Sequence, residues 1–318
     1  MSERPTRHAA ARGGGVIVTA GEALVDLVLG VAGDLQAHPG GGPFNVARTI
    51  GRLQRPVAFL GRVSGDRFGR LLRECLAADG VLPDAIVPTE QPTTLALAEI
   101  DADGRIAYRF YAQATSAPGL TPEEAVAALP DDVTMLHVGG LGLVFEPMAT
   151  ALEAAVATVS GQAVVSLDPN CRPWAMDDAA TYRRRLARLL RQAGLVKVSE
   201  EDLAWLDPGR DPVDAARALL DRGPLLVILT LGPLGAVALT ADEQVTVPSP
   251  PVAVQDTIGA GDAFCGAFLA WWRSRALGRD SLTQMGPVSE ALRFACLVAA
   301  RTCERAGASP PWLSELDA

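Results

Sequence analysis

A rhythm in the chain narrows its folding options more than any other feature. Short apolar runs rich in β-branched residues recur at 16–20, 57–61, 134–138, 163–167, 195–198 and 225–230. Between them lie segments with apolar residues at helical spacing, at 44–53, 66–78, 147–160, 178–193 and 211–220. Runs apolar on both faces, joined by helices long enough for crossovers, predict a mostly parallel sheet covered on both sides. Two stretches break the rhythm, 22–38 and 93–113, the second with an Asp101-Ala102-Asp103-Gly104 turn. Their alternation predicts strands in a small second sheet beside the main one. Further helices are expected at 263–272 and 288–305. No linker-like stretch interrupts residues 15–318, so one domain with a subdomain is predicted, and residues 1–14 are expected to form a disordered tail.

Composition removes several functions. The formal net charge of −9 opposes general nucleic-acid binding, which needs a basic surface to displace counterions from phosphates. No apolar run reaches the ~18–20 residues that span a bilayer. The first twelve residues hold no apolar signal core, so a cytoplasmic protein is expected. Five dispersed cysteines, none at two-residue spacing, argue for reduced thiols rather than disulfides or zinc. Of the 28 basic residues, the only lysine is Lys197, between Val196 and Val198. A Walker-type phosphate loop, which requires Gly-Lys followed by Ser or Thr, is therefore excluded. The run Arg183-Arg184-Arg185, with Arg188 and Arg191, reads as the solvated face of one helix.

The densest chemical signal is Asp256-Thr257-Ile258-Gly259-Ala260-Gly261-Asp262, at the head of a long apolar helix. Its glycines remove bulk where the chain turns into the helix, leaving backbone N–H groups unpaired. Those groups and the helix dipole make an anion site that needs no lysine. A carboxylate at Asp262 is at odds with a bound anion unless it serves as a base, taking a proton from a hydroxyl while the amides hold a migrating phosphoryl group. The residues alone equally allow a plain turn, with Asp262 a helix-terminal acid worth ~0.3–1 kcal/mol.

Asp256 through Phe264 resembles the C-terminal signature of the ribokinase-like (PfkB) carbohydrate kinases. Gly40-Gly41-Gly42-Pro43-Phe44-Asn45-Val46-Ala47 resembles the glycine-rich N-terminal signature of the same family. Other pieces follow in family order: Gly21-Glu22-Ala23-Leu24-Val25-Asp26, Gly61-Arg62-Val63, Asp168-Pro169-Asn170 with Arg172, Lys197-Val198-Ser199, and Thr230-Leu231-Gly232. The resemblance implies a ribokinase-like three-layer α/β/α domain whose small β-sheet is a lid. It also implies transfer of the γ-phosphate of ATP to a sugar hydroxyl. Asp262 would be the general base, help worth typically ~10²–10⁴ in rate. The N–H groups of Gly259, Ala260 and Gly261 would be the anion hole. A magnesium ion bridging the β and γ phosphates is expected, and a monovalent cation such as potassium is compatible with the family.

By the same resemblance, Asp26, Gly41, Gly42 and Asn45 hold the sugar, with Arg109 and Arg172 nearby. Read without it, Asp26 is a strand-end turn acid and Asn45 an ordinary first-turn helix residue. The nucleotide side comprises Lys197, Ser199, Thr230, Gly232, Gly235, Gly259, Gly261 and Cys296; fixed positive charge there would come from Arg172 or Lys197. Cys296 stands where the family often has an asparagine, and Ser199-Glu200-Glu201-Asp202 stands for an Asn-x-x-Glu motif near the metal. Asp202 is thus either a metal-side carboxylate or, with Ser199, a helix capping box. The fructokinase-like branch fits best. The branch acting on 2-keto-3-deoxygluconate carries a lid arginine where this chain has Gln113, although Arg109 could substitute for it. A nucleoside acceptor and a catalytically silent sugar-binding regulator on the same fold are the remaining readings. The partners implied are a sugar, ATP and a second copy of the chain in a lid-to-lid homodimer.

Overall fold

The computed structural model describes residues 14–30, 33–100 and 106–316. Residues 1–13, most of the expected tail, and the 101–104 turn lie outside the described residues. The main sheet has nine strands. They are β1 (Val16–Ala20), β4 (Val57–Ser64), β5 (Ile86–Thr89), β8 (Val133–Gly139), β9 (Val164–Asp168), β10 (Leu195–Ser199), β11 (Leu226–Thr230), β12 (Ala236–Leu239) and β13 (Gln244–Val247). Their order is β13-β12-β11-β10-β9-β8-β1-β4-β5, parallel except at β11–β12 and β12–β13. From β1 the chain proceeds to β4 on one side, while β8 lies on the other. The strand order therefore reverses at β1, and the crevice beyond the carboxyl ends there is where such sheets bind ligands.

Alternation along the strands explains the layers. Val16, Val18 and Ala20 of β1 point to one face, covered by α3 (Pro122–Ala128), α4 (Met148–Val159), α5 (Ala179–Leu190), α6 (Glu200–Leu206) and α7 (Pro212–Leu220). Ile17 points to the other, covered by α1 (Gly42–Arg52), α2 (Arg67–Ala78), α8 (Ala260–Ser274) and α9 (Met285–Cys303). This is the three-layer α/β/α arrangement that the sequence implies. α8 is apolar around most of its circumference because it packs between α1 and α9, and Ala263 through Ala270 are all buried. One expectation fails on α5. Arg185 is buried and paired with Glu146 and Glu153 of the neighbouring segment, so only part of the arginine run is a solvated face.

The second sheet is formed by β2 (Leu24–Leu29), β3 (Leu35–Gly40), β6 (Leu95–Ile100) and β7 (Ile106–Tyr111) in the order β3-β2-β6-β7. Each excursion makes an antiparallel hairpin, and the two hairpins meet along a parallel β2–β6 pair. The register fixes which side chains share a face. His38, Asp26, Ala96 and Phe110 form one cross-strand row, and Ala37, Leu27, Leu97 and Arg109 form the next row, on the opposite face. Leu24 and Ala96 on the first face pack with Leu141, Phe110, Phe145 and Ala175, so this face turns toward the segments that follow β8 and β9 at their carboxyl ends. Phe110 stacks on Trp174 with ring centroids 4.7 Å apart, joining the small sheet to the main body.

Candidate active site

The cleft is built around the start of α8. Gly259 precedes the helix with φ +76°, and a Cβ there would stand 2.9 Å from the Ala308 Cα, so the turn requires glycine. The N–H groups of Gly259, Gly261 and Asp262 have no chain partner among the described residues. The Ala260 N–H instead donates to the Thr257 carbonyl at 3.2 Å. The expected three-amide hole therefore loses Ala260, whose N–H is tied into the turn that shapes it.

Asp262 sits half-buried in the first turn of α8. Its Oδ2 accepts a hydrogen bond from Asn45 Nδ2 at 2.9 Å, across 217 residues of sequence. Burial raises its carboxyl to about 7, with the Asp168 charge adding to the rise, while Asn45, Lys197 and Arg172 oppose it. A carboxyl tuned there is poised to accept a proton near neutral pH. Beneath it lies a buried ion pair: Lys197 Nζ is 3.1 Å from Asp168 Oδ2. Both residues end up on the α8 face because Lys197 lies two residues from Leu195 and Asp168 four from Val164, and those two pack there. Burial opposes the ammonium charge of Lys197, but the Asp168 carboxylate, its hydrogen bond and the charges of Cys265 and Asp202 together outweigh burial and hold the group above its usual range. Lys197 Nζ lies 3.4 Å from where a Cβ on Gly261 would be, directly behind the free amides.

The residues expected on the acceptor side are equally compact. Asp26 lies opposite His38, and its Oδ2 would come within 2.1 Å of a Cβ on Gly40, so its carboxylate lies against the glycine loop. Burial lifts it to about 6, opposed by His38. A Cβ on Gly42 would be 3.5 Å from Asp262 Oδ1 and 3.8 Å from Asn170 Nδ2, which places the loop at the base of the cleft. The N–H of Gly42 donates to Glu22 Oε1 at 3.0 Å and is therefore committed to the chain. Arg172 donates to the Asn170 and Cys171 carbonyls at 3.2 and 3.0 Å, and its charge reaches Asp262.

The Asp262 carboxyl stands beside unpartnered amides near the point where the strand order reverses, and comparison with known proteins decides the family. Residues 17–315 match the family described as pfkB family carbohydrate kinase. The chain belongs to the PfkB carbohydrate kinases. This kinase is 36% identical over 260 residues to a fructokinase of Rhizobium leguminosarum bv. trifolii, covering 80% of this chain and 79% of the relative. It is 34% identical to fructokinase-1 of Oryza sativa subsp. japonica, covering 95% and 96% of the two chains. Among solved structures it is similar to the fructokinase of Xylella fastidiosa with bound ATP, with TM-score 0.86, 29% identity, and coverage of 95% and 96%. The fructokinase of Vibrio cholerae O395 with fructose, ADP and calcium bound gives TM-score 0.84 and 27% identity, covering 96% and 98%.

Three candidate residues of this kinase stand apart from the cleft or turn away from it. Arg109 is on the outer face of the small sheet, opposite to Asp26, because the two belong to adjacent cross-strand rows. Cys296 is 4% exposed within the α9 core, and burial pushes its thiol up to about 11. The adjoining groove of about 580 Å³ is lined by Pro248, Pro250, Pro251, Arg293 and Leu297 instead. Asp202 is 3% exposed and spends both oxygens on the chain, Oδ1 on the Cys171 N–H at 2.6 Å and Oδ2 on the Ser199 N–H and hydroxyl. Ser199 and Asp202 form the capping box of α6. Thr230 donates to the Val198 carbonyl, and Gly232 and Gly235 shape the turn between β11 and β12. The signatures gave no task to Asp168 as the partner of Lys197, nor to Glu22.

Proposed function

We propose that this kinase transfers the γ-phosphate of ATP to a hydroxyl of fructose. The reading rests on one observation: the Asp262 carboxyl, raised to about 7, stands in the same first helical turn as the free amides of Gly259 and Gly261. A sugar hydroxyl placed between Asp26 and Asn45 would lose its proton to Asp262 as it attacks. The two amides and the α8 dipole would receive the charge that develops on the phosphoryl oxygens, with Lys197 and Arg172 adding fixed positive charge. Asn45 holds one carboxylate oxygen of Asp262 and so orients the base. The small sheet closes the cleft and keeps out water that would compete for the phosphoryl group.

Magnesium suits this donor set as an ion carried by the nucleotide. No cluster of three or more metal-binding side chains occurs among the described residues, and magnesium commonly takes one or two carboxylates besides phosphates and waters. Asp168 Oδ1, buried without a hydrogen-bond partner, is the carboxylate oxygen left to face it, directly or through water. When bound, the ion would neutralise charge on the β and γ phosphates. The groove at Pro248–Pro251 and Arg293, beside the Gly235 turn, is where the base of the nucleotide would rest.

An uncharged ketose is favoured over a sugar acid because Gln113 is neutral and Arg109 faces away from Asp26. We place the enzyme in the cytoplasm, where ATP is supplied, and no helix among the described residues is long and apolar enough to cross a membrane. A lid-to-lid homodimer is supported by the outer face of the small sheet, where Leu35 is 60% and Tyr111 53% exposed. The test is ADP release with ATP, magnesium and a panel of monosaccharides and sugar acids. Turnover with fructose above the others is expected; no turnover with any sugar would overturn the assignment in favour of a silent binding protein.

A further inference from the structure

Glu22 lies two residues beyond the end of β1, the strand that β4 and β8 flank. It is 3% exposed. Its Oε1 accepts from the Gly42 N–H at 3.0 Å, and its Oε2 accepts from the Gly142 N–H at 2.8 Å. Gly42 opens α1, three residues before Asn45. Gly142 belongs to the 3-10 turn Gly140–Leu143, whose Leu141 packs against Leu24 and Ala96 of the small sheet. Glycines wall the carboxylate in: a Cβ on Gly140, which has φ +62°, would stand 2.8 Å from Oε1, and one on Gly142 would stand 3.3 Å from Oε2.

Stability alone does not account for a carboxylate in this place. A buried charge is costly, and apolar replacements of buried ionic groups are often neutral or stabilising. What a carboxylate offers here is a fork of two acceptors, able to hold N–H donors from two separate loops at once. A carboxamide has one acceptor oxygen and an NH₂ that would face the second N–H.

We infer that Glu22 is a positioning residue of the sugar site, fastening the Gly41–Gly42 loop to the Gly140–Leu143 turn and thereby setting where Asn45 and its partner Asp262 stand against the acceptor. The inference rests on the sugar-kinase reading above. The experiment measures steady-state kinetics of the wild type and of Glu22→Gln, with ATP and with the best acceptor of the sugar panel varied in turn. KM for the sugar rises about tenfold in Glu22→Gln, as expected for the loss of one hydrogen bond to a charged group, while KM for ATP stays within twofold. Glu22→Asp, which keeps the charge but falls one methylene short, gives the same split and serves if the first variant does not fold. A sugar KM within twofold of wild type, equal rises in both KM values, or loss of folding in both variants overturns the inference in favour of a purely structural role. A wild type that phosphorylates no sugar removes the kinase reading itself. An active wild type matched by Glu22→Gln removes only this inference.

Discussion

The carboxyl of Asp262 carries two opposing consequences. As the proposed base it must be ionised, so kcat/KM is expected to rise with pH up to about 7 and level off above it. Asp262→Asn is expected to lower kcat by ~10²–10⁴ with fold and ATP binding retained, and wild-type turnover in that variant would contradict the mechanism. Stability runs the other way. The folded-state value, about 7, lies above the ordinary 3.8, so the folded protein binds this proton more tightly than the unfolded chain does. That contribution is complete below about pH 4 and is lost as pH rises through 7. Asp262→Asn should therefore melt at a higher temperature than wild type at pH 8, with the gap closing toward pH 5 in calorimetry. Glu22, also held near 7 by burial, adds to the same downward slope. The Asp262 turn was legible because its glycines and acid lie within a few residues of each other. Glu22 was not, because its two loops are 20 and 120 residues away and backbone donors leave no mark on sequence.

At the scale of elements, α6 bears on whether Asp202 serves the fold or the metal side. Asp202 caps its own helix and also holds the Cys171 N–H, which fixes the loop running from the end of β9 at Asp168 to Arg172. Asp202→Asn is expected to cost about 1–3 kcal/mol in denaturant unfolding, through loss of charge-assisted hydrogen bonds. The magnesium concentration for half-maximal rate should remain unchanged; a severalfold increase would restore a metal role. The main strands and crossover helices were readable from periodicity, since burial on both faces writes itself into continuous apolar runs. Strand β12 and helices α3 and α6 were not: at 4, 7 and 7 residues they are too short to show a period. The face of Arg109 was also hidden, because a pairing register is a relation between strands and a shift of one residue would have turned it into the cleft. Arg185 was misread for a related reason: its partners, Glu146 and Glu153, lie on a different element.

For the whole molecule, each face of the small sheet has a task under the proposed function. The inner one carries Asp26 and Phe110; the outer carries Leu27, Leu35, Leu97 and Tyr111. Of these, Leu35 and Tyr111 are exposed, and exposed apolar side chains on one sheet face are the ground for the proposed association. Light scattering is expected to give a dimer, and Leu35→Glu with Tyr111→Glu a monomer; a monomeric wild type would dismiss the pairing.

The chain's single lysine has an unusual chemical outcome. Its amine is locked in an ion pair behind the amides of α8, so every other side-chain cation that is always charged is a guanidinium, beyond the reach of acylating reagents. Acetic anhydride should therefore leave the surface charge almost untouched, and mass spectrometry of the peptide bearing Lys197 would report how often the cleft floor opens to solvent. Slower acylation with nucleotide present is the expected result.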